Sequence, residues 1–108
     1  MKQNKNLDKY AEIYKALSDT HRLIIMDMLT GGELCACKIL KKFEFTQPTL
    51  SHHMKTLCDC GLVKGHKQGK WTYYSITDKG RKDAGAMLEK ISRPITNTKN
   101  QNEGCCDE

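Results

Sequence analysis

Cys35-Ala36-Cys37 sets two thiols two residues apart, and four more stand at Cys58, Cys60, Cys105 and Cys106. Thiolates are nucleophiles and soft ligands, suited to soft ions such as trivalent arsenic and antimony, cadmium or lead. In an oxidising compartment the same residues would be read as a disulfide framework. Here the first six residues are polar and lead into an amphipathic segment instead of an apolar signal core, and no apolar run is long enough to cross a bilayer. The expected location is therefore the cytoplasm, with no membrane partner, where thiols stay reduced and metal binding or redox sensing outranks cross-linking. Catalysis is not expected. The usual Cys-x-x-Cys redox spacing and a βαβ pattern are both missing, and no base is arranged beside a nucleophile, so neither a catalytic residue nor a catalytic cofactor is assigned. The plain alternative for Cys35 and Cys37 is a pair of small, partly buried hydrophobes.

A second constellation is made of donors and acceptors. Gln47, Thr49, Ser51, His52 and Lys55 remain outward when the apolar positions Leu50, Met54 and Leu57, which recur at i, i+4 and i+7, turn inward. Gln47 suits adenine, Ser51 and His52 suit base edges or phosphate, and Lys55 suits phosphate or guanine. Downstream, residues 61–82 hold six basic side chains (Lys64, Lys67, Lys70, Lys79, Arg81 and Lys82) against Asp78. Such a patch favours a polyanion, and Lys67 and Lys70 suit phosphates or the adjacent minor groove. Each residue alone is equally a solvated surface position, but the set matches what double-stranded DNA requires.

These groups need elements to hold them. Leu7, Tyr10, Ala11, Ile13, Tyr14 and Leu17 recur at helical spacing, predicting a first helix. Ser18-Asp19-Thr20 supplies cap chemistry for a second, nearly all core, which Gly31-Gly32 ends. A third is expected from about Glu33 to Lys42, with both Cys35 and Cys37 in its first turn, and a fourth begins at Thr46 with Pro48 tolerated early. Leu62–His66 and Lys70–Ile76 read as strands of a hairpin turning at Lys67-Gln68-Gly69. Thr77-Asp78 then starts a last helix lined by Ala84, Met87, Leu88 and Ile91. The expected architecture is mainly α with a β-hairpin, a winged helix-turn-helix over residues 7–91. Residues 1–6 are expected to be a disordered N-terminus and 92–108 a flexible tail carrying vicinal cysteines. At 108 residues the core is modest, and a homodimer is expected to supplement it.

Ala16-Leu17-Ser18-Asp19-Thr20-His21-Arg22-Leu23, Glu33-Leu34-Cys35-Ala36-Cys37, Gln47-Pro48-Thr49-Leu50-Ser51-His52-His53-Met54 and Lys67-Gln68-Gly69-Lys70-Trp71-Thr72-Tyr73-Tyr74 together resemble the ArsR/SmtB family of metal-sensing repressors, in order and over roughly residues 7–91, most of the chain. The resemblance implies a homodimer paired through the first and last helices, which represses a resistance or homeostasis operon. Glu-Leu-Cys-x-Cys resembles the inducer box of the arsenic-responsive members, making arsenite or antimonite the implied inducer and Cys35 and Cys37 its ligands. On an intact helix, side chains at i and i+2 point roughly 200° apart, so both sulfurs reach one ion only if that turn loosens or lies at a frayed end. Ligation is therefore expected to distort the third helix and to oppose operator binding.

The chain departs from one form of this box, in which a further cysteine follows; Leu40 stands there. A third sulfur would come from Cys105 or Cys106, from a small cellular thiol, or not at all. Cadmium- and lead-responsive relatives use recognition-helix cysteines four residues apart, whereas Cys58 and Cys60 are two apart, leaving that site the lesser candidate. Release by thiol oxidation is a further alternative. The last helix, 77–91, has no histidine for a zinc or nickel site. His52, His53 and His66 are expected in DNA contact or packing, and His21 on the surface of a first turn.

Overall fold

The computed structural model describes residues 5–94. Its order is α1 (Lys5–Ala16), α2 (Thr20–Leu29), β1 (Leu34–Cys35), α3 (Ala36–Leu40), α4 (Gln47–Asp59), β2 (Val63–Gln68), β3 (Trp71–Ile76) and α5 (Asp78–Ser92). The termini of the chain, including Cys105 and Cys106, lie outside the described residues. Among those described, no helix is long and apolar enough to cross a membrane.

Two of the helices begin at a side-chain cap, whereas Thr46 at the start of α4 makes no such bond. Asp19 caps α2 by accepting from the Arg22 backbone N–H at 3.2 Å, and Thr77 caps α5 by accepting from the Gly80 N–H at 3.0 Å. Ile13 and Ala16 of α1, Ile25 and Leu29 of α2, Ile39 of α3, and Leu50, Met54 and Leu57 of α4 meet Leu62 and Val63 in one core. Helix α5 packs on α1: Tyr14 donates its hydroxyl to the Ala84 carbonyl at 2.9 Å, and Lys9 reaches Asp83 at 3.4 Å. Leu7, Leu88 and Ile91 nevertheless stay 51%, 56% and 60% exposed. The α1–α5 pair thus keeps an outer face that the described residues leave exposed.

The structure corrects the expected path in two places. The segment at Glu33–Cys35 is not helical: Leu34 and Cys35 form a short strand pairing with Tyr74 and Tyr73, which makes a three-stranded antiparallel sheet ordered β1-β3-β2. A two-residue strand has too short an alternation to be seen in sequence, and only β3 as a partner reveals it. Helix α3 starts at Ala36, with Cys35 as its extended N-cap (φ −70°, ψ 144°). The hairpin is also longer than expected. Pairing runs from Val63↔Ile76 to Gln68↔Trp71, leaving Gly69-Lys70 as the turn. Gly69 occupies the left-handed region at φ 69°, as a tight hairpin turn requires. Lys70 is accordingly at the tip, whereas Lys67 sits within β2 opposite Thr72.

Candidate nucleic-acid interface and thiol centre

Helix α4 turns Leu50, His53, Met54 and Leu57 inward. Gln47, Ser51, His52 and Lys55 are exposed, as are Lys67 and Lys70 on the hairpin. Thr49 is half-buried, its hydroxyl 3.5 Å from that of Thr46. Lys55 is held 3.0 Å from Asp59 one turn on, a surface pair weak enough for a phosphate to displace. Lys70 places its ammonium 5.8 Å from the centre of the Trp71 ring. One helix with a polar outer face and an adjoining basic hairpin is the shape and charge that a major groove and its flanking phosphates accept.

The thiol pair lies where β1 becomes α3. Because Cys35 is extended and Cys37 helical, the two side chains do not diverge as on a regular helix, and their Sγ atoms are 3.0 Å apart. Of the two conditions for shared ligation, the helix end is the one met, so no turn has to unwind. At this spacing the two thiols are hydrogen-bonded, with either sulfur able to donate. The hydrogen bond with Cys37 lowers the Cys35 thiol below its ordinary range, helped by the N–H groups of Cys37 and Lys38 and by the Lys38 ammonium; the same bond raises Cys37. Cys35 is thus the readier thiolate, and a soft ion bound by both sulfurs would displace both thiol protons.

Cys58 and Cys60 differ in both respects. Burial raises both thiols, and Cys60 is engaged with the Leu57 carbonyl at 3.3 Å. They also face apart: Cys58 opens onto a groove with Lys64, His66 and Tyr74, and Cys60 onto another with Glu12 and Lys15. The two therefore line different grooves and are the less ready thiolates.

A sequence profile described as "Bacterial regulatory protein, arsR family" matches residues 19–64, from the α2 cap into the wing. An arsenical resistance operon repressor of Staphylococcus aureus is 46% identical over 95 residues, covering 86% of this chain and 85% of that protein. The chain belongs to the ArsR family. A crystal structure of an ArsR family transcriptional regulator superposes with a TM-score of 0.73 at 25% identity, covering 87% of this chain and 100% of that one. A homodimeric winged helix-turn-helix DNA-binding domain from Mycobacterium bovis, a possible ArsR-family regulator, gives 0.65 at 29% identity, covering 82% and 86%. The winged helix-turn-helix fold follows, and with it a transcriptional regulator and not an enzyme.

In this ArsR-family protein the strut behind α4 is a feature that sequence reading missed. Arg22 donates Nε to the Ala16 carbonyl at 2.6 Å and Nη1 to Nδ1 of His53 at 3.0 Å, tying α1, α2 and α4 together. The available signal was position 53 itself, which falls on the same stripe as Leu50 and Leu57. Asp19, His21 and His53 also bring ligand atoms within 4.8 Å of one another. A guanidinium has no acceptor, so Nδ1 of His53 must accept and its proton must stand on Nε2. Neither nitrogen is then a free lone pair, and the trio is no metal centre while the strut holds. His21 remains exposed on α2's first turn, edge-on to Phe43 and Phe45, and His66 stacks on Tyr73 and pairs with Glu33 at 3.4 Å.

Proposed function

We propose that this ArsR-family protein is a homodimeric repressor that grips operator DNA through α4 and the wing and releases it when Cys35 and Cys37 capture arsenite or antimonite. The observation that carries this reading is the 3.0 Å Sγ–Sγ approach at the β1–α3 joint. Two thiolates suit a thiophilic, trivalent centre, and the similar arsenical resistance repressor supports that choice. The third position on such a centre falls to Cys105 or Cys106, to a small thiol, or to hydroxide.

The site is wired to both DNA-facing elements. Cys35 pairs with Tyr73 of the wing strand β3, and Cys37 belongs to α3, which feeds α4. An ion held by both sulfurs would tie the end of β1 to α3, and so fix the relative setting of wing and recognition helix. Inducer and operator then oppose one another by mutual linkage. Gln47, Thr49, Ser51, His52 and Lys55 would address the groove, with Lys67 and Lys70 on phosphates.

The test is release of reduced protein from labelled operator. Cys35→Ser and Cys37→Ser should keep operator affinity, since neither residue is on the outer face of α4, and should lose release by arsenite or antimonite. Cys58→Ser and Cys60→Ser should release as wild type does. Wild-type release by the Cys35 and Cys37 variants would sink the thiol-pair reading.

A further inference from the structure

Directly beside Cys37 lies a cleft of about 160 Å³ between α3, the start of α4 and the wing. Leu40, Leu50 and Trp71 supply apolar walls, and Gln47 and Lys70 stand in its lining beside them. Trp71 is 45% exposed there, a large ring that the described residues leave half uncovered. Apolar cavities of about 150 Å³ take up a benzene ring, so the space is of aryl size.

We infer that this cleft is a subsite for the organic substituent of mono-organic trivalent arsenicals, with aryl groups preferred over methyl. The inference rests on the thiol-pair reading and deepens it. Trivalent arsenic makes three bonds, and the pair offers two sulfurs. Arsenite, As(OH)3, reacting with two thiols gives a dithiolate with one hydroxyl left and two waters released. An organic oxide R–As=O consumes the same two thiols: two S–H bonds break, two As–S bonds form, and the oxide oxygen leaves as one water carrying both protons. Arsenic stays trivalent, no oxidant is needed, and R completes the third bond. With Cys37 in the cleft lining, R on a sulfur-bound arsenic is set beside Trp71 and Leu40. An aryl group seated there removes apolar surface from water on both partners. It would also lie against Gln47 and Lys70, the residues proposed for DNA, so filling the cleft adds to release.

The experiment compares phenylarsine oxide with its methyl counterpart on the reduced full-length chain, since both need only two thiols and differ only in R. Operator release and direct binding are followed together, the latter through emission of Trp71, the single tryptophan. Phenyl should act at about tenfold lower concentration than methyl, a gap of about 1.4 kcal/mol, and should perturb Trp71 emission more. In Trp71→Ala, binding is followed by thiol loss, and the phenyl advantage should shrink to near unity while the methyl response remains. A ratio, unlike an absolute affinity, is insensitive to a wing that holds DNA less well. An equal response to the two compounds in wild type, or an unchanged ratio in Trp71→Ala, would overturn the subsite while leaving the thiol pair intact. Undiminished binding of both compounds in Cys35→Ser would overturn the thiol pair, and the subsite with it.

Discussion

His53 shows how one side chain ties chemistry to stability. It is only 7% exposed, and burial is the main cause holding its imidazole below its ordinary range, with Arg22, His21 and His52 acting alike and Asp19 opposing. Above an unfolded pKa of about 6.5 the ring is neutral in both states and costs nothing. As pH falls below that, the unfolded chain takes a proton that the folded chain refuses, so stability drops towards the folded pKa. Asp19, Asp78 and Asp83 are held below their ordinary carboxylate range and act only in stronger acid. Melting temperature should therefore fall between pH 7 and 5 in wild type. In His53→Gln, whose amide oxygen can still accept from Arg22, that slope should flatten; an equal slope in the variant would move the cause elsewhere. The thiols diverge in the same way. Cys35, lowered by its partner, should alkylate with iodoacetamide at neutral pH before Cys58 or Cys60, both raised by burial. Peptide mass analysis of a brief exposure checks the order.

At the scale of elements, the junction of α4, β2 and α5 leaves no room for a side chain at Gly80. Thr77 donates its hydroxyl to the Gly61 carbonyl, its N–H reaches the Leu62 carbonyl at 2.9 Å, and a Cβ on Gly80 would run into the Gly61 carbonyl and the Leu62 backbone. Backbone cannot swing aside as a side-chain tip does. Gly80→Ala should cost about 1–3 kcal/mol, whereas Gly85→Ala, with open space around it in the same helix, should gain about 0.5–1 kcal/mol. Denaturant melts of the two variants should move in opposite directions. Helices α1, α2, α4 and α5 and the hairpin were legible in sequence because each carries several periodic residues, with Asp19 and Thr77 as true caps of α2 and α5. β1 was not, since two residues hold no period and the strand exists only through Tyr73 and Tyr74. That miss hid the decisive feature of the thiol site: with Cys35 placed on a helix the sulfurs diverge, and with Cys35 on a strand end they meet. The polar face of α4 was legible for the opposite reason, being defined by the core residues it avoids.

For the whole molecule, one recognition helix and one wing cover half of what an imperfect palindrome presents. Leu7, Leu88 and Ile91, more than half exposed on α1 and α5, are the apolar surface through which a second copy is proposed to supply the rest. A paired Leu88→Glu and Ile91→Glu variant should sediment as a monomer and lose most operator affinity, although its α4 is untouched. Electrostatics gives the sharper measure. Each phosphate neutralised contributes about 0.9 to the slope of log K against log salt, and a dimer engaging Lys67 and Lys70 on both wings would engage four. Lys67→Ala with Lys70→Ala should therefore lower the slope by up to about 3.6 and weaken binding to specific and unrelated DNA alike. Gln47→Ala should leave the slope unchanged and narrow the gap between operator and unrelated sequence, since a base contact discriminates without releasing counterions. Anisotropy titrations at several salt concentrations separate the two roles. A slope unchanged in the double lysine variant would remove the wing from the phosphates, and a slope that falls by half that amount would mean two such contacts in the dimer instead of four.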